Sequence, residues 1–245
     1  MKNKLIVGLS ALAIIVMSSC TSNDSDNSSQ NNSNKKYIKS VTTIPAEDPS
    51  DAATLSVNYD AAGKVISATD GTETTFFAYE DGHLKNIGGS SDVLTMTEVT
   101  GTPQDGFEIG RVLQYDSNGN PVKVQIYERD WDDTILATYE GEIIYDNKPN
   151  PYYSTMEAAG IIEVLNNVNI NFSLNPQSEQ LVKAKMLLPA NNPKKVVIKD
   201  LDGMVKSTIV TDYVYDNSNY PLTATTTTTD EDGGVYIYST SYTYK

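Results

Sequence analysis

The chain has 245 residues, a formal net charge of −14, one cysteine and one histidine. So few sulfur and imidazole groups exclude a disulfide framework, a zinc–thiolate site and a multi-histidine metal centre. The acidic balance repels phosphate backbones and excludes nucleic acid as a partner.

In chain order, Lys2 and Lys4 precede an apolar run from Leu5 to Met17. That run falls short of the about 20 residues a membrane helix needs and suits the apolar segment of an export signal. Ser18 and Ser19 then lead into Cys20. The order apolar, small, small, cysteine resembles the lipobox of bacterial lipoproteins. The resemblance implies a signal peptide over 1–19, acylation of the Cys20 thiol, and a protein lipid-anchored in the outer membrane. Residues 20–35 are nearly all Ser, Asn, Asp and Gln, with no apolar side chain to offset the entropy of ordering, and are expected to form a flexible tether. Asp24 and Asp26 within it resemble the acidic signal that sends Bacteroidetes-type lipoproteins to the cell surface. With no polybasic segment, the acyl chains alone are expected to hold the membrane.

Residues 36–245 read as a single all-β domain, an antiparallel meander of hairpins in a curled or barrel-like sheet. Alternation with period two sets Leu55, Val57 and Tyr59 on one face. Phe107, Ile109, Arg111, Leu113 and Tyr115 follow, then Val122, Val124 and Ile126, then Ile135, Ala137 and Tyr139. Near the end Tyr236, Tyr238, Tyr242 and Tyr244 line one face while Val235 and Ile237 point the other way. The turns repeat a pattern: Tyr59-Asp60-Ala61-Ala62-Gly63-Lys64-Val65, Tyr79-Glu80-Asp81-Gly82-His83-Leu84, Tyr115-Asp116-Ser117-Asn118-Gly119-Asn120-Pro121 and Tyr215-Asp216-Asn217-Ser218-Asn219-Tyr220-Pro221. Asp bonds the backbone two residues on, and Gly or Asn supplies a positive φ before the returning strand. One segment departs from this. Ser154-Thr155-Met156-Glu157 has capping-box form, and Met156, Ala159, Ile162 and Leu165 recur at helical spacing, which predicts one short helix near 155–166 ending at Asn166-Asn167.

The Tyr-Asp-x-x-Gly units behind a lipobox resemble a family of uncharacterised Bacteroidetes-type surface lipoproteins with YD-like repeats. That resemblance implies a barrel-like or porin-like β fold and carries over no catalytic residues.

No residue set forms a catalytic motif, and no cofactor is expected. His83 follows a turn glycine with no nucleophile elbow anywhere in the chain. Glu140 and Glu142 share a strand face, as solvated carboxylates do. The acidic turns at Asp116, Asp200 and Asp230 suit hairpins better than a calcium loop. The recognition candidate is Trp131, flanked by Asp130 and Asp132 at a hairpin tip, whose indole face suits a glycan or peptide ligand. The expectation is a non-enzymatic binding or scaffolding module. The alternatives are a carboxylate-based hydrolase acting on surface glycan, and an integral outer-membrane β-barrel, which needs a continuous apolar outer band.

Overall fold

The computed structural model describes residues 35–89, 93–101, 104–106, 109–132, 134–173 and 180–245. Cys20, the rest of the expected leader and tether up to residue 34, Phe107 and Asp133 lie outside the described residues.

Alternating side chains and short turns fold the chain back beside itself as a run of strands. They are β1 (Ile38–Pro45), β2 (Ala53–Tyr59), β3 (Val65–Thr69), β4 (Thr74–Glu80), β5 (His83–Gly88), β6 (Val93–Thr95), β7 (Gln104–Asp105) and β8 (Gly110–Tyr115). After these come β9 (Pro121–Arg129), β10 (Ile135–Pro149), β11 (Asn169–Asn171), β12 (Leu181–Lys183), β13 (Asn191–Asp200), β14 (Val205–Tyr215), β15 (Pro221–Asp230) and β16 (Val235–Tyr244). Thirteen of them make one antiparallel meander in the order β6-β5-β4-β3-β2-β1-β16-β15-β14-β13-β10-β9-β8. The margins β6 and β8 do not pair with each other, so the sheet is open. A small second sheet, β12-β11-β7, joins β7 to β11 in parallel. The all-β meander expected from the alternation is the observed architecture.

Register puts one set of side chains inward. Val41 lies opposite both Leu55 and Tyr242, and Val57 opposite Ala68. Ile38, Val41, Val57 and Val65 are buried together with Ala159, and Tyr59, Phe77, Tyr152, Tyr242 and Tyr244 pack against them. Burying each aliphatic side chain of this kind contributes about 1.5–3 kcal/mol. The inner face continues across the sheet through Ala224, Thr226 and Thr228 of β15, Ile209 and Thr211 of β14, Ile143 of β10 and Val124 of β9, all buried.

The repeated turns work as their residues predict. The backbone amides of Asp60, Asp116 and Asp216 donate to the carbonyls of Lys64, Asn120 and Tyr220 at 2.9 Å each. Their carboxylates accept the amides of those same residues at 2.8–3.0 Å. Gly63 and Gly119 supply the positive φ, and Asn219 does so at φ 64°. The tyrosine before each turn has a second role that the repeat alone did not disclose. Pairing shifts register at Tyr59, Tyr79, Tyr115, Tyr145 and Tyr215. Such irregularities sharpen strand twist and bend the sheet. Tyrosine hydroxyls also satisfy carbonyls at this end of the sheet: Tyr59 donates to Ile38, Tyr79 to Val65 and Tyr244 to Pro221, at 2.5–2.7 Å.

The helical segment forms where expected, but in two pieces and with a different start. Helix α2 (Pro151–Ala158) follows α1 (Met96–Gly101), a single turn and a half that the alternation did not predict, and precedes α3 (Ile161–Leu165). The cap is Asn150, whose side-chain oxygen accepts the Tyr152 amide at 3.0 Å, with Pro151 at the first helical position. Ser154 therefore sits inside the helix, buried, and the expected capping box with Glu157 does not form. Asn-Pro was the stronger start signal, because proline has no amide to leave unpaired there. Gly160, in the left-handed region at φ 74°, splits α2 from α3, and Asn166 ends the second piece.

The outer face carries ion pairs between neighbouring strands. Lys123 pairs with Glu140 at 2.6 Å and Lys199 with Glu142 at 2.9 Å, across β9, β10 and β13. Ser and Thr side chains cover β15, β16, β1 and β2 on that side, with Ser40–Thr243 and Thr42–Thr54 hydroxyl contacts at 2.6 and 2.8 Å. Apolar side chains are exposed on this side as well, among them Ile144, two residues from Glu142 on the same strand face, and Ile237 of β16, so ionic, hydroxyl and apolar groups are interspersed there. Among the described residues no helix is long and apolar enough to cross a membrane.

A projecting hairpin as the candidate functional site

The strands run between two ends. At one end lie the tyrosine turns, α2 and α3, and both Lys35 and Lys245, whose amide donates to Tyr37. At the other end are the turns at 46–52, 70–73, 130–134, 201–204 and 231–234. From this second end one hairpin stands proud. Pairing of β10 with β13 stops at Tyr139–Asp200, and pairing of β9 with β8 stops at Ile126–Gly110, with one further bond from the Tyr127 amide to Ile109. Beyond those points, among the described residues, β9 and β10 pair only with each other, out to Ile135–Arg129. Residues 135–138 extend about 13 Å at ~3.3 Å per residue.

Trp131 sits at the tip of this finger and is 91% exposed. The turn is held by the Asp130 amide donating to the Thr134 carbonyl at 2.8 Å. Asp130 accepts the Trp131 amide and Asp132 the Thr134 amide, at 2.8 and 3.1 Å. Thr134, through its side chain and its amide, holds the Asp132 carboxyl below the usual aspartate range. The flanking acids expected to rim the indole thus use one oxygen each to fix the turn. Ile135 and Leu136 are also exposed, at the point where the pairing of β10 with β9 shifts register. Below them the Arg129 guanidinium lies 5.8 Å from the Tyr127 ring centre, and Tyr139 donates to Glu128 at 2.8 Å.

The other expected sites resolve into structural roles. Glu140 and Glu142 do face one side of β10, each against a lysine, and the Lys199 ammonium holds the Glu142 carboxyl below the usual range. They do not flank a cleft. At Asp116, Asp200 and Asp230 the carboxylates accept turn amides. Lys206 is held between Asp200 and Glu231 at 3.5 and 2.6 Å. Among the described residues no group of three His, Cys, Asp or Glu side chains is placed to hold a metal.

His83, expected to be a lone solvated turn residue, has a partner. Its Nδ1 lies 2.6 Å from Glu163 of α3, and both side chains are largely exposed. They rim a pocket of about 230 Å3 with Asn167, over Leu84 and Met96. The Thr100 hydroxyl in its wall donates to the Met96 carbonyl at 2.9 Å. No spacing signal links two residues 80 positions apart.

The fold and finger define an open β meander with a projecting hairpin and a small second sheet. No protein-family model matches the sequence, and no curated protein matches it significantly. Among solved structures, it is similar to a porin-like protein from Bacteroides vulgatus at 12% identity over 86% of this chain and 99% of that one, with a TM-score of 0.39. A porin-like protein from Bacteroides uniformis aligns at 12% identity over 85% of this chain and 96% of that one, TM-score 0.38. A LolA superfamily protein from Nitrosomonas europaea aligns at 11% identity over 86% and 84% respectively, TM-score 0.23.

Proposed function

We propose that this protein is a non-enzymatic binding module, lipid-anchored to the outer membrane through Cys20 and facing the cell exterior, with the Trp131 finger as its contact element. The observation that carries this reading is the exposure of Trp131 on a two-stranded extension that adds nothing to the buried core. A large indole usually finds burial, and a tip that withholds it from the core has another use for it. The direction of the strands supports the reading. The chain enters β1 at the helical end, so a tether reaching back from Lys35 to Cys20 leaves the finger on the side away from the anchor.

A carboxylate hydrolase fits less well, because Glu140 and Glu142 lie two apart on one strand face and each is paired with a lysine. An integral barrel fits less well again, given the open margins and the ion pairs on the outer face. The test is Cys20→Ser in the full chain. The expected outcome is loss of labelled-palmitate incorporation and release from the membrane fraction. Retention of the variant in membranes after a carbonate wash would sink the anchor reading.

A further inference from the structure

We propose that the finger docks a cationic polypeptide segment, with Trp131 lying against its guanidinium or ammonium groups. This rests on the reading of the finger as the contact element and names its partner. The docking surface is apolar: Trp131, Leu136 and Ile135 are 91%, 58% and 38% exposed, and Ile109 beside the finger's base is 74% exposed. The edge of β10 over residues 135–138 has no strand paired to it on the β13 side, since that ladder ends at Tyr139–Asp200. An extended peptide can bond such an edge through its own backbone.

Charge selects the occupant. The turns at this end, 46–52, 70–73, 130–134, 200–204 and 230–234, all contain Asp or Glu and no Lys or Arg. Lys206, at the finger's base, is held by Asp200 and Glu231, and Arg129, over the Tyr127 ring, is the one cation in residues 127–139 against the four acids Glu128, Asp130, Asp132 and Asp133. The helical end differs, with Lys35, Lys36, Lys64, Lys148 and Lys245 among its acids. The field at the finger therefore attracts cations, and an indole face is the best aromatic surface for them. A second copy of this chain is repelled by the net charge of −14. The chain's own segment before Lys35 enters at the opposite end, and its 20–34 stretch carries Asp24 and Asp26 but no cation. A neutral glycan would gain stacking on Trp131 but nothing from the acid-only turns.

The experiment reads Trp131 fluorescence, the only indole signal, in the full-length protein held in neutral detergent. The probes are an oligo-arginine peptide with interspersed leucines and a neutral oligosaccharide, each at low and high salt. The peptide is expected to blue-shift the emission, to protect it from acrylamide, and to bind at least tenfold more weakly at high salt. Trp131→Ala, followed by peptide anisotropy, is expected to weaken binding at least tenfold, and Asp132→Asn, which keeps the turn acceptor, severalfold. Peptide binding that Trp131→Ala leaves unchanged overturns the inference, because charge alone then accounts for it. A response to the oligosaccharide and not to the peptide also overturns it, while leaving the finger as the contact element. Silence of Trp131 toward both overturns the inference and the reading beneath it.

Discussion

The two ends of the sheet are built from similar turns but arranged for opposite purposes. At the helical end the aromatic side chains point inward and their hydroxyls are bonded: Tyr244 donates to Pro221, Tyr79 to Val65 and to Ala159, and Tyr213 to Pro193. Tyr152 and Tyr242 meet edge to face at 6.3 Å. At the free end the aromatic side chain of Trp131 points at solvent and the strands beneath it pair only with each other. The sequence-local chemistry of an Asp-x-x-Gly turn is indifferent to this distinction. What separates the ends is whether a second layer, here α2 and α3, covers the sheet. Cohesion is concentrated at the covered end.

Alkaline pH should break the covered end first. Burial raises the hydroxyl pKa of Tyr59, Tyr79 and Tyr152 to about 12, and raises those of Tyr242 and Tyr244 further. A raised pKa means that the folded protein holds its proton more tightly than the unfolded chain does. The stability is fully present below the unfolded value near 10 and is lost as pH rises above it. Circular dichroism between pH 9 and 12 should show cooperative unfolding, whereas Trp131 emission should stay exposed-like throughout. A sheet still folded at pH 12 would contradict the burial of these hydroxyls.

Truncating Tyr242→Ala should cost about 3–5 kcal/mol, as for other large aromatic core deletions, measured by denaturant titration. Gly160→Ala comes next. Its φ of 74° and a new Cβ at 3.0 Å from the Leu84 Cβ should cost about 1–2 kcal/mol. The smallest change is Trp131→Ala, which should move stability by less than about 0.5 kcal/mol because the ring is already solvated. A loss above 2 kcal/mol at Trp131 would erase the contrast between the ends.

Local features were readable in the sequence to the extent that they were local. The face alternation of β16, with Tyr236 to Tyr244 inward and Val235 and Ile237 outward, follows from period two alone. So do the turn aspartates and their positive-φ partners. The helix was visible as a periodicity, but its cap was misassigned because Ser154–Glu157 also fits a start motif; Asn150 before Pro151 caps the helix instead, and its side-chain amide donates to the Pro189 carbonyl at 3.1 Å. The tip position of Trp131 was legible from its flanking acids. The projection of its hairpin was not, since that depends on where β13 ends relative to β10, a register between residues about sixty positions apart. The Lys123–Glu140 and Lys199–Glu142 pairs and the His83–Glu163 contact were invisible for the same reason.

The seam at the middle of the sheet has a consequence for how the protein is made. Strand β1 pairs with β16, so Ser40 meets Thr243 across 203 positions of chain. Every other neighbouring pair in the meander except β10–β13 joins strands adjacent in sequence. Each flank can form hairpin by hairpin as it emerges, but the two flanks join only after almost the whole polypeptide is available. Closing so long a loop is slow and comes late. The growing chain thus stays divisible into loose hairpins, and locks only when β16 arrives to zip against β1.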